Sequence, residues 1–332
     1  MRLKMLVATT DAEYATFLSD NISEHHANTI EVSVCSTLVC LNDLLPKQRF
    51  DVALMDREMV EAADKSSINQ PMLLCSESDM TTDKPEFERI RKYQRISSII
   101  SAVLERHARV SKNRFSPDSG NAGITAVWSP AGGVGKTTVA LAYAASKVSE
   151  ENEVFYLNLE VFSSIPGYFR ESGKSISRVF EMLDSNEGDA KMLIQGISCR
   201  ESGITYLCSP DNFDDICILS NDETKKLIAS CAALADELVI DMSCACDSCS
   251  KLVFELADKV FIVTEPSQAA GIKLNQFISQ NDLFESIKEK TTLIANKGVD
   301  VSNSNIEQVI SLPFVQSSNA STVYKTLSEN RF

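Results

Sequence analysis

Ser129-Pro130-Ala131-Gly132-Gly133-Val134-Gly135-Lys136-Thr137-Thr138 is a glycine-rich stretch between two apolar segments. The run Ile124–Trp128 before it predicts a buried strand, and the run Val139–Ala145 after it predicts a helix. Glycines at a strand-to-helix turn let successive backbone N–H groups point into one concavity, and the helix N-terminus adds the positive end of its dipole. The stretch therefore predicts a phosphate-binding loop, called here the phosphate loop (residues 129–138).

The polar groups of the phosphate loop have predicted roles toward a nucleotide. The ammonium of Lys136 is expected to reach the terminal phosphates. Thr137 is predicted to hold Mg²⁺, and Thr138 to contact a more internal phosphate. The backbone amides predicted to cradle the phosphates are those of Gly132, Gly133, Val134 and Gly135.

The order G-G-V-G-K-T-T over residues 132–138 resembles the loop of the ParA/MinD family of "deviant" P-loop ATPases. The general pattern G-x-x-x-x-G-K-[ST] is not met, because Pro130 stands at its first glycine. The resemblance implies ATP and Mg²⁺ as ligands. The family's signature lysine, which reaches the partner's phosphates across a dimer, belongs at position 131, where this chain has alanine. A cation supplied in trans can raise the rate of phosphoryl transfer by several powers of ten, so we expect ATP to be bound and hydrolysed slowly.

Length, net charge and the lengths of the apolar runs limit the possible number of domains and the possible classes of function. A chain of 332 residues is too long for one typical domain and long enough for two. The net charge of −14 and the absence of a basic stripe argue against nonspecific DNA binding. No apolar run reaches the roughly 18 residues that span a bilayer, and no signal peptide is evident. We therefore expect a cytoplasmic protein without a transmembrane segment, whose ten cysteines are free thiols.

Strand and helix patterns alternate on both sides of a polar segment. Residues 1–110 predict one α/β domain, residues 111–122 a linker rich in Ser, Asn, Pro and Gly, and residues 123–332 a second α/β domain. The predicted fold class is two doubly wound parallel sheets, the first receiver- or flavodoxin-like and the second of the P-loop NTPase type.

The first domain resembles the receiver domain of response regulators. Aligned by pattern, Asp56 falls on the phosphoacceptor, Ser76 on the switch hydroxyl and Lys92 on the phosphate-binding lysine. Receivers end their first strand with an acidic pair that binds Mg²⁺, whereas this chain has Thr9-Thr10 there, with an acidic residue one place later. Two interpretations stay open, phosphorylation-controlled signalling and a degenerate receiver that serves as a docking module, and we favour the second.

Acidic side chains follow two predicted strands of the second domain. The family places a D-x-D pair after the strand that begins at Val154, and this chain has Asn158 and Glu160 instead. Glu160 is expected near the attacking water; the alternative is a surface carboxylate at a strand end. Asp241 ends the apolar strand Glu237–Asp241 in the Walker B pattern, and its carboxylate is expected to orient Mg²⁺.

Two further segments concern the base and a metal. In Asn296-Lys297 the amide resembles the family's adenine reader, and Pro313 lies in a segment that resembles the one closing over the base; a turn-capping role for Asn296 is the alternative. Cys244, Cys246 and Cys249 have a C-x-C-x-x-C spacing that can ligate a metal or an iron–sulfur cluster. We prefer a small-residue switch loop for this cysteine segment.

The order of domains resembles the TadZ/CpaE group of pilus-assembly ATPases. This resemblance implies a homodimer closed by ATP, recruitment to a cell pole or the inner face of the membrane, and partners in a Tad/Flp-type pilus secretion system. The alternatives are a ParA/MinD-like partitioning or cell-positioning ATPase and, resting on the cysteines alone, an iron–sulfur carrier.

Overall fold

A computed structural model describes residues 2–27, 29–76, 87–110, 122–170, 173–185, 188–299 and 306–332. The chain divides into two compact units, Met1–Ser111 and Lys112–Phe332. The predicted linker at 111–122 falls, except for Ala122, outside the described residues. No helix in the described ranges is both long and apolar enough to cross a membrane.

The first unit contains a five-stranded parallel sheet in the order β2-β1-β3-β4-β5. Its strands are β1 Leu3–Ala8, β2 Ile30–Cys35, β3 Phe50–Met55, β4 Ile68–Cys75 and β5 Glu88–Arg91. Its helices are α1 Ala12–His25, α2 Leu38–Leu44, α3 Arg57–Ala62 and α4 Ile96–Val110. The predicted strand Pro71–Cys75 is three residues too short, because a proline inside a run hides the strand that precedes it.

The second unit contains an eight-stranded sheet in the order β13-β12-β11-β6-β10-β7-β9-β8. Its strands are β6 Gly123–Trp128, β7 Val154–Leu159, β8 Cys199–Glu201, β9 Ile204–Tyr206, β10 Glu237–Met242, β11 Lys259–Thr264, β12 Thr291–Ala295 and β13 Gln308–Ser311. Its helices are α5 Lys136–Lys147, α6 Ser177–Ser185, α7 Ala190–Ile197, α8 Asp214–Cys217, α9 Asn221–Ala232, α10 Ser248–Leu256, α11 Gln268–Ile278, α12 Asn281–Ile287 and α13 Ala320–Ser328.

Burial explains why the central strands read as continuous apolar runs. Every residue of β7 is buried, and β10 and β11 are buried beyond their first residue. Parallel strands covered on both faces need apolar side chains in both directions. The predicted α/β class with parallel sheets is confirmed, whereas the antiparallel pairing of β8 with β9 was not predicted, since three-residue strands give no periodic signal.

The sheet order sets the position of the site. Strand β6 lies between β11 and β10, and β10 separates it from β7. The carboxyl ends of these parallel strands share one edge of the sheet, where α/β proteins bind ligands. The phosphate loop, Glu160 after β7 and Asp241 near the end of β10 therefore meet at this edge.

Candidate nucleotide-binding site

The phosphate loop turns directly from β6 into α5. Gly133 and Gly135 have positive φ angles of 76° and 90°, and α5 begins at Lys136. Glycine adopts this left-handed conformation without steric cost. The N–H of Ala131 donates to the Ser129 hydroxyl at 3.1 Å. The loop therefore has the strand–turn–helix arrangement predicted for phosphate binding.

Glu160 contacts both functional side chains at the start of α5. Its Oε1 lies 3.4 Å from the Lys136 ammonium, and its Oε2 accepts a hydrogen bond of 3.2 Å from the Thr137 hydroxyl. Lys136 is only 6% exposed, so its charge needs a partner inside the protein. The structure thus brings Glu160 to Lys136 and Thr137, from which it is separated by 24 and 23 positions in sequence.

Asp241 lies beneath this group, fully buried at the end of β10. Its Oδ2 accepts hydrogen bonds from the Tyr156 hydroxyl at 2.8 Å and from the Asn158 amide at 3.3 Å. The Asn158 amide also donates to the Tyr156 hydroxyl at 3.0 Å. An aspartate at position 158 would put another buried charge of the same sign here, and the amide replaces that repulsion by a hydrogen bond.

The other Asp241 oxygen, Oδ1, makes no hydrogen bond to any described residue. Burial first, and the nearby Glu160 carboxylate second, raise the pKa of Asp241 to about 7, against the lowering effects of Thr137, Tyr156 and Lys136. A buried carboxylate oxygen without a donor, beside a hydroxyl and a second carboxylate, fits Mg²⁺. Magnesium typically takes one or two carboxylates and completes its coordination with phosphate and water oxygens, so these residues suffice.

Thr138 shares a hydrogen bond of 2.7 Å with the hydroxyl of Tyr168. Burial raises the pKa of Tyr168, so this hydroxyl stays protonated at neutral pH. Sequence reasoning missed both Tyr156 and Tyr168, because Tyr156 lies in an apolar run that hides its hydroxyl and Tyr168 follows a Pro-Gly turn that carries no motif.

Asn296 and Pro313 differ in their surroundings. Asn296 is buried directly after β12, and its amide donates to the Val134 carbonyl at 2.9 Å. Pro313 is exposed and follows the buried Leu312, whose N–H donates to the Ala295 carbonyl at 2.9 Å. The backbone thus brings the Pro313 segment alongside the end of β12, next to Asn296.

Cys244 and Cys246 lie in the connection between β10 and α10, and Cys249 lies in the first turn of α10. The backbone of this connection is held by Trp128, whose indole N–H donates to the Ala245 carbonyl at 2.8 Å. Among the described residues, no three Cys, His, Asp or Glu side chains are placed to hold a metal ion together, and Cys244, Cys246 and Cys249 are all described. The geometry gives no support to the iron–sulfur interpretation.

In the first unit, Asp56, the predicted phosphoacceptor, lies in a hydrogen-bond network with Thr9, Thr10 and Lys92. Asp56 Oδ2 accepts from the Thr9 hydroxyl and from the Thr10 N–H at 3.0 Å, while its Oδ1 lies 3.5 Å from the Lys92 ammonium. Lys92 also donates to the Thr9 hydroxyl at 3.0 Å. The predicted switch residue Ser76 follows β4 directly and lines a small pocket with Cys75, Arg91 and Tyr93. Both Asp56 oxygens are therefore engaged by protein groups.

The displaced acid Asp11 is engaged as well. Its Oδ2 accepts from the Tyr93 hydroxyl at 2.8 Å and its Oδ1 from the Tyr14 N–H at 3.0 Å. The Tyr14 and Tyr93 hydrogen bonds lower the pKa of Asp11, which keeps it ionised. Tyr93 stands where receivers have a proline. Its hydroxyl donates to the Asp11 carboxylate, which a magnesium ion would need as a ligand.

We predict that Asp56 takes up no phosphoryl group from acetyl phosphate with Mg²⁺, because its oxygens are occupied and no acidic pair holds the metal. Intact-mass spectrometry of the full chain measures this, with Asp56→Asn as the matched control. A phosphoryl adduct on the parent that is lost in Asp56→Asn contradicts the prediction.

Solved structures of known proteins match the fold of part of this chain. No family model matches the chain, and no curated protein matches it. A ParA family ATPase from Chlorobium tepidum TLS superposes with a TM-score of 0.51 at 18% identity, covering 62% of this chain and 98% of that one. The chain has the fold of a ParA family ATPase over that length.

Two further solved structures superpose less closely. One is a plasmid partition protein from Borrelia burgdorferi, with a TM-score of 0.48, 19% identity and coverage of 63% of this chain and 96% of that one. The other is the septum site-determining protein MinD of Pyrococcus horikoshii OT3, complexed with Mg-ADP, with a TM-score of 0.46, 11% identity and coverage of 63% and 95%.

Proposed function

We propose that the chain is a Mg²⁺-dependent ATP-binding switch of the ParA/MinD type. The observation that carries this proposal is the convergence of Lys136, Thr137, Glu160 and Asp241 at one edge of the sheet, beside a loop with two left-handed glycines. In this arrangement Lys136 faces the terminal phosphates. Thr137 and Asp241 hold Mg²⁺, which supplies charge neutralisation at the phosphates when bound.

Glu160 is the acidic group that could act on the attacking water. Its carboxylate is 19% exposed and contacts both Lys136 and Thr137. A nucleotide phosphate competes with Glu160 for the Lys136 ammonium, because both are anions that bind the same cation. Release of Glu160 from Lys136 frees the carboxylate to orient water, so nucleotide binding and catalytic readiness are coupled.

Hydrolysis is slow in this proposal. Position 131, where the resembled family has its signature lysine, is an alanine that is 5% exposed and packs into the core of the second unit. A side chain directed into the core supplies no cation to a partner's phosphates, and loss of such a cation costs several powers of ten in rate.

The cellular role we propose is that of a positioning or partitioning ATPase, whose ATP-bound form is a homodimer. ATP acts by binding the dimer more tightly than the monomer, since a ligand shifts an equilibrium only through such a difference. The more specific role we propose is assembly of a Tad/Flp-type pilus at a cell pole, with secretion proteins as partners, and it rests on the sequence resemblance of both units. The net charge of −14 favours this over a role that needs nonspecific DNA binding.

The first test is the molar mass of the full chain in solution without nucleotide, with Mg·ADP and with Mg·ATP, with phosphate release followed in the same samples. We expect a dimer with Mg·ATP alone and turnover well below about 1 per second. A mass that is indifferent to nucleotide contradicts the switch, and turnover at or above that rate contradicts slow hydrolysis. DNA that shifts in a salt-dependent manner with the ATP-bound chain favours partitioning over pilus assembly.

A further inference from the structure

We propose that Asn296 and Lys297 are positioning residues that aim the amides of the phosphate loop, and that neither residue reads the nucleotide base. This inference rests on the proposed nucleotide site. Both side chains then affect phosphate binding, and their effect is the same for every nucleotide whatever its base.

The amide of Asn296 is committed to the protein. Its Nδ2 donates to the Val134 carbonyl at 2.9 Å, and its Oδ1 accepts from the Lys297 N–H at 2.9 Å. The residue is 4% exposed. One N–H and one lone pair of the amide remain, but at this burial they have little access to the edge of a base.

Asn296 also fits closely against the start of α5. A Cβ atom at Gly135 would lie 2.7 Å from the Asn296 Nδ2, nearer than a side chain can approach. Gly135 therefore meets two demands, a left-handed backbone and contact with this amide. The close fit shows that Asn296 packs on the phosphate loop itself.

Lys297 ties together the segments that follow three strands. Its ammonium lies 3.3 Å from the Gly133 carbonyl in the loop after β6 and 2.5 Å from the Glu265 carboxylate after β11, while Lys297 itself follows β12. The pairing with Glu265 fixes the ammonium beside the loop. A partly exposed ion pair adds little stability. We therefore infer that the pair with Glu265 serves to place the Lys297 ammonium, which donates to the Gly133 carbonyl.

The backbone of Lys297 is strained. Its φ of 57° is left-handed, a conformation that residues with a Cβ rarely adopt. Hydrogen bonds hold the turn on both sides, from the Gly298 N–H to the Leu312 carbonyl at 2.9 Å and from the Leu312 N–H to the Ala295 carbonyl at 2.9 Å. Strain of this kind persists at ligand-binding sites where the surroundings impose it.

The geometry of the peptide bond connects these contacts to phosphate binding. In a trans peptide the carbonyl of one residue and the N–H of the next point in opposite directions. Donors that hold the Gly133 and Val134 carbonyls on one side therefore turn the N–H groups of Val134 and Gly135 to the other side. These are two of the amides predicted to cradle the phosphates, so the two side chains preorganise the cradle.

The test measures affinity for three probes by calorimetry on the full chain: Mg·ATP, Mg·GTP and Mg·tripolyphosphate, which has neither base nor ribose. We expect Asn296→Ala to weaken all three by the same factor, about 10-fold, because one hydrogen bond to the loop is lost. Lys297→Gly is expected to weaken all three by a common factor of about 3- to 10-fold while removing the left-handed strain. Lys297→Arg keeps the cation and is expected to retain affinity.

The outcomes separate this inference from its rivals. Weaker ATP binding with unchanged tripolyphosphate binding, or a changed ratio of ATP to GTP affinity, overturns it and restores base reading. Because Lys297→Gly leaves a residue that favours the turn, it carries the test even where Asn296→Ala fails to fold. Parent protein that binds no probe and equals Lys136→Ala means that the proposed nucleotide function has failed, whereas unaltered binding in both Asn296→Ala and Lys297→Gly means that the inference alone has failed.

Discussion

Replacing Lys136 by alanine is expected to weaken Mg·ATP binding by at least about 100-fold and to abolish the ATP-linked dimer. Charge-assisted hydrogen bonds from the ammonium to phosphate oxygens contribute about 3 kcal/mol together, which corresponds to this factor. Lys136 is also the cation that Glu160 contacts, at 3.4 Å. Its removal leaves Glu160 and the buried Asp241 facing each other without it, which further disfavours an anionic ligand.

Lys147→Ala is the matched control for this substitution. Lys147 is in the last turn of the same helix α5, with its ammonium 5.0 Å from the Tyr143 ring centre, at the end of the helix opposite the phosphate loop. It is expected to bind Mg·ATP as the parent does. The measurement is calorimetric affinity together with molar mass in Mg·ATP; a Lys136→Ala protein that dimerises with ATP like the parent would falsify the switch.

Much of this site follows from local sequence. The glycines at 133 and 135 and the apolar runs before and after the phosphate loop predict the turn, because the conformations they need are properties of single residues and of periodic burial. The apolar run before Asp241 predicts β10 for the same reason, and the strand ends one residue further on, at Met242. Patterns that span a few residues each thus predict the α/β class, and the structure confirms it.

The long-range contacts that complete the site could not be predicted from local sequence patterns. Tyr156 lies in a fully buried strand, where its ring satisfies the apolar pattern and conceals a hydroxyl that donates to Asp241, 85 residues away in sequence. The Asn296-Lys297 pattern predicts a role for the amide and none of its own for Lys297, which the parallel register of β12, β11 and β6 brings to the phosphate loop. Long-range partners depend on strand order, which single-sequence patterns do not determine.

Asn158 is a second residue whose role depends on long-range contacts that the sequence does not show. From sequence, asparagine in place of an acid suggests a weakened site. In the structure its amide donates to Asp241 and its Oδ1 accepts from the Glu160 N–H at 2.9 Å. The residue that seemed to have lost a function holds two carboxylate-bearing residues in place.

Asp241→Asn is expected to remove a pH dependence from the stability of the second unit without nucleotide. The ordinary pKa of an aspartate is 3.8, and in the folded chain that of Asp241 is raised to about 7, by burial first and by Glu160 second. Between these pH values the folded protein binds a proton that the unfolded chain has released. The free energy of unfolding therefore falls as pH rises from about 4 to about 7 and levels off above, by a total on the order of a few kcal/mol.

Trp128 provides a readout for this unit. It is the single tryptophan, is 1% exposed, and its ring contacts Phe254 in the core of the second unit. Urea unfolding followed by its fluorescence in EDTA at pH 5, 6, 7 and 8 reports the stability of this unit apart from the first. We expect parent protein to lose stability across this series, and Asp241→Asn to stay level and exceed the parent at pH 8.

Tyr156→Phe distinguishes a titrating Asp241 from a general effect of the substitution. The Tyr156 hydroxyl donates to Asp241 Oδ2 and lowers its pKa, so its removal raises that pKa further and extends the decline in stability to higher pH. Asp241→Asn and Tyr156→Phe should thus change the pH profile in opposite directions. A parent profile that is level from pH 5 to 8 would show that the pKa of Asp241 is not raised into this range, and an Asp241→Asn profile that still declines would show that another group takes up the proton. Saturating Mg·ATP should also level the parent profile, because a metal-bound carboxylate is ionised at every pH in the series.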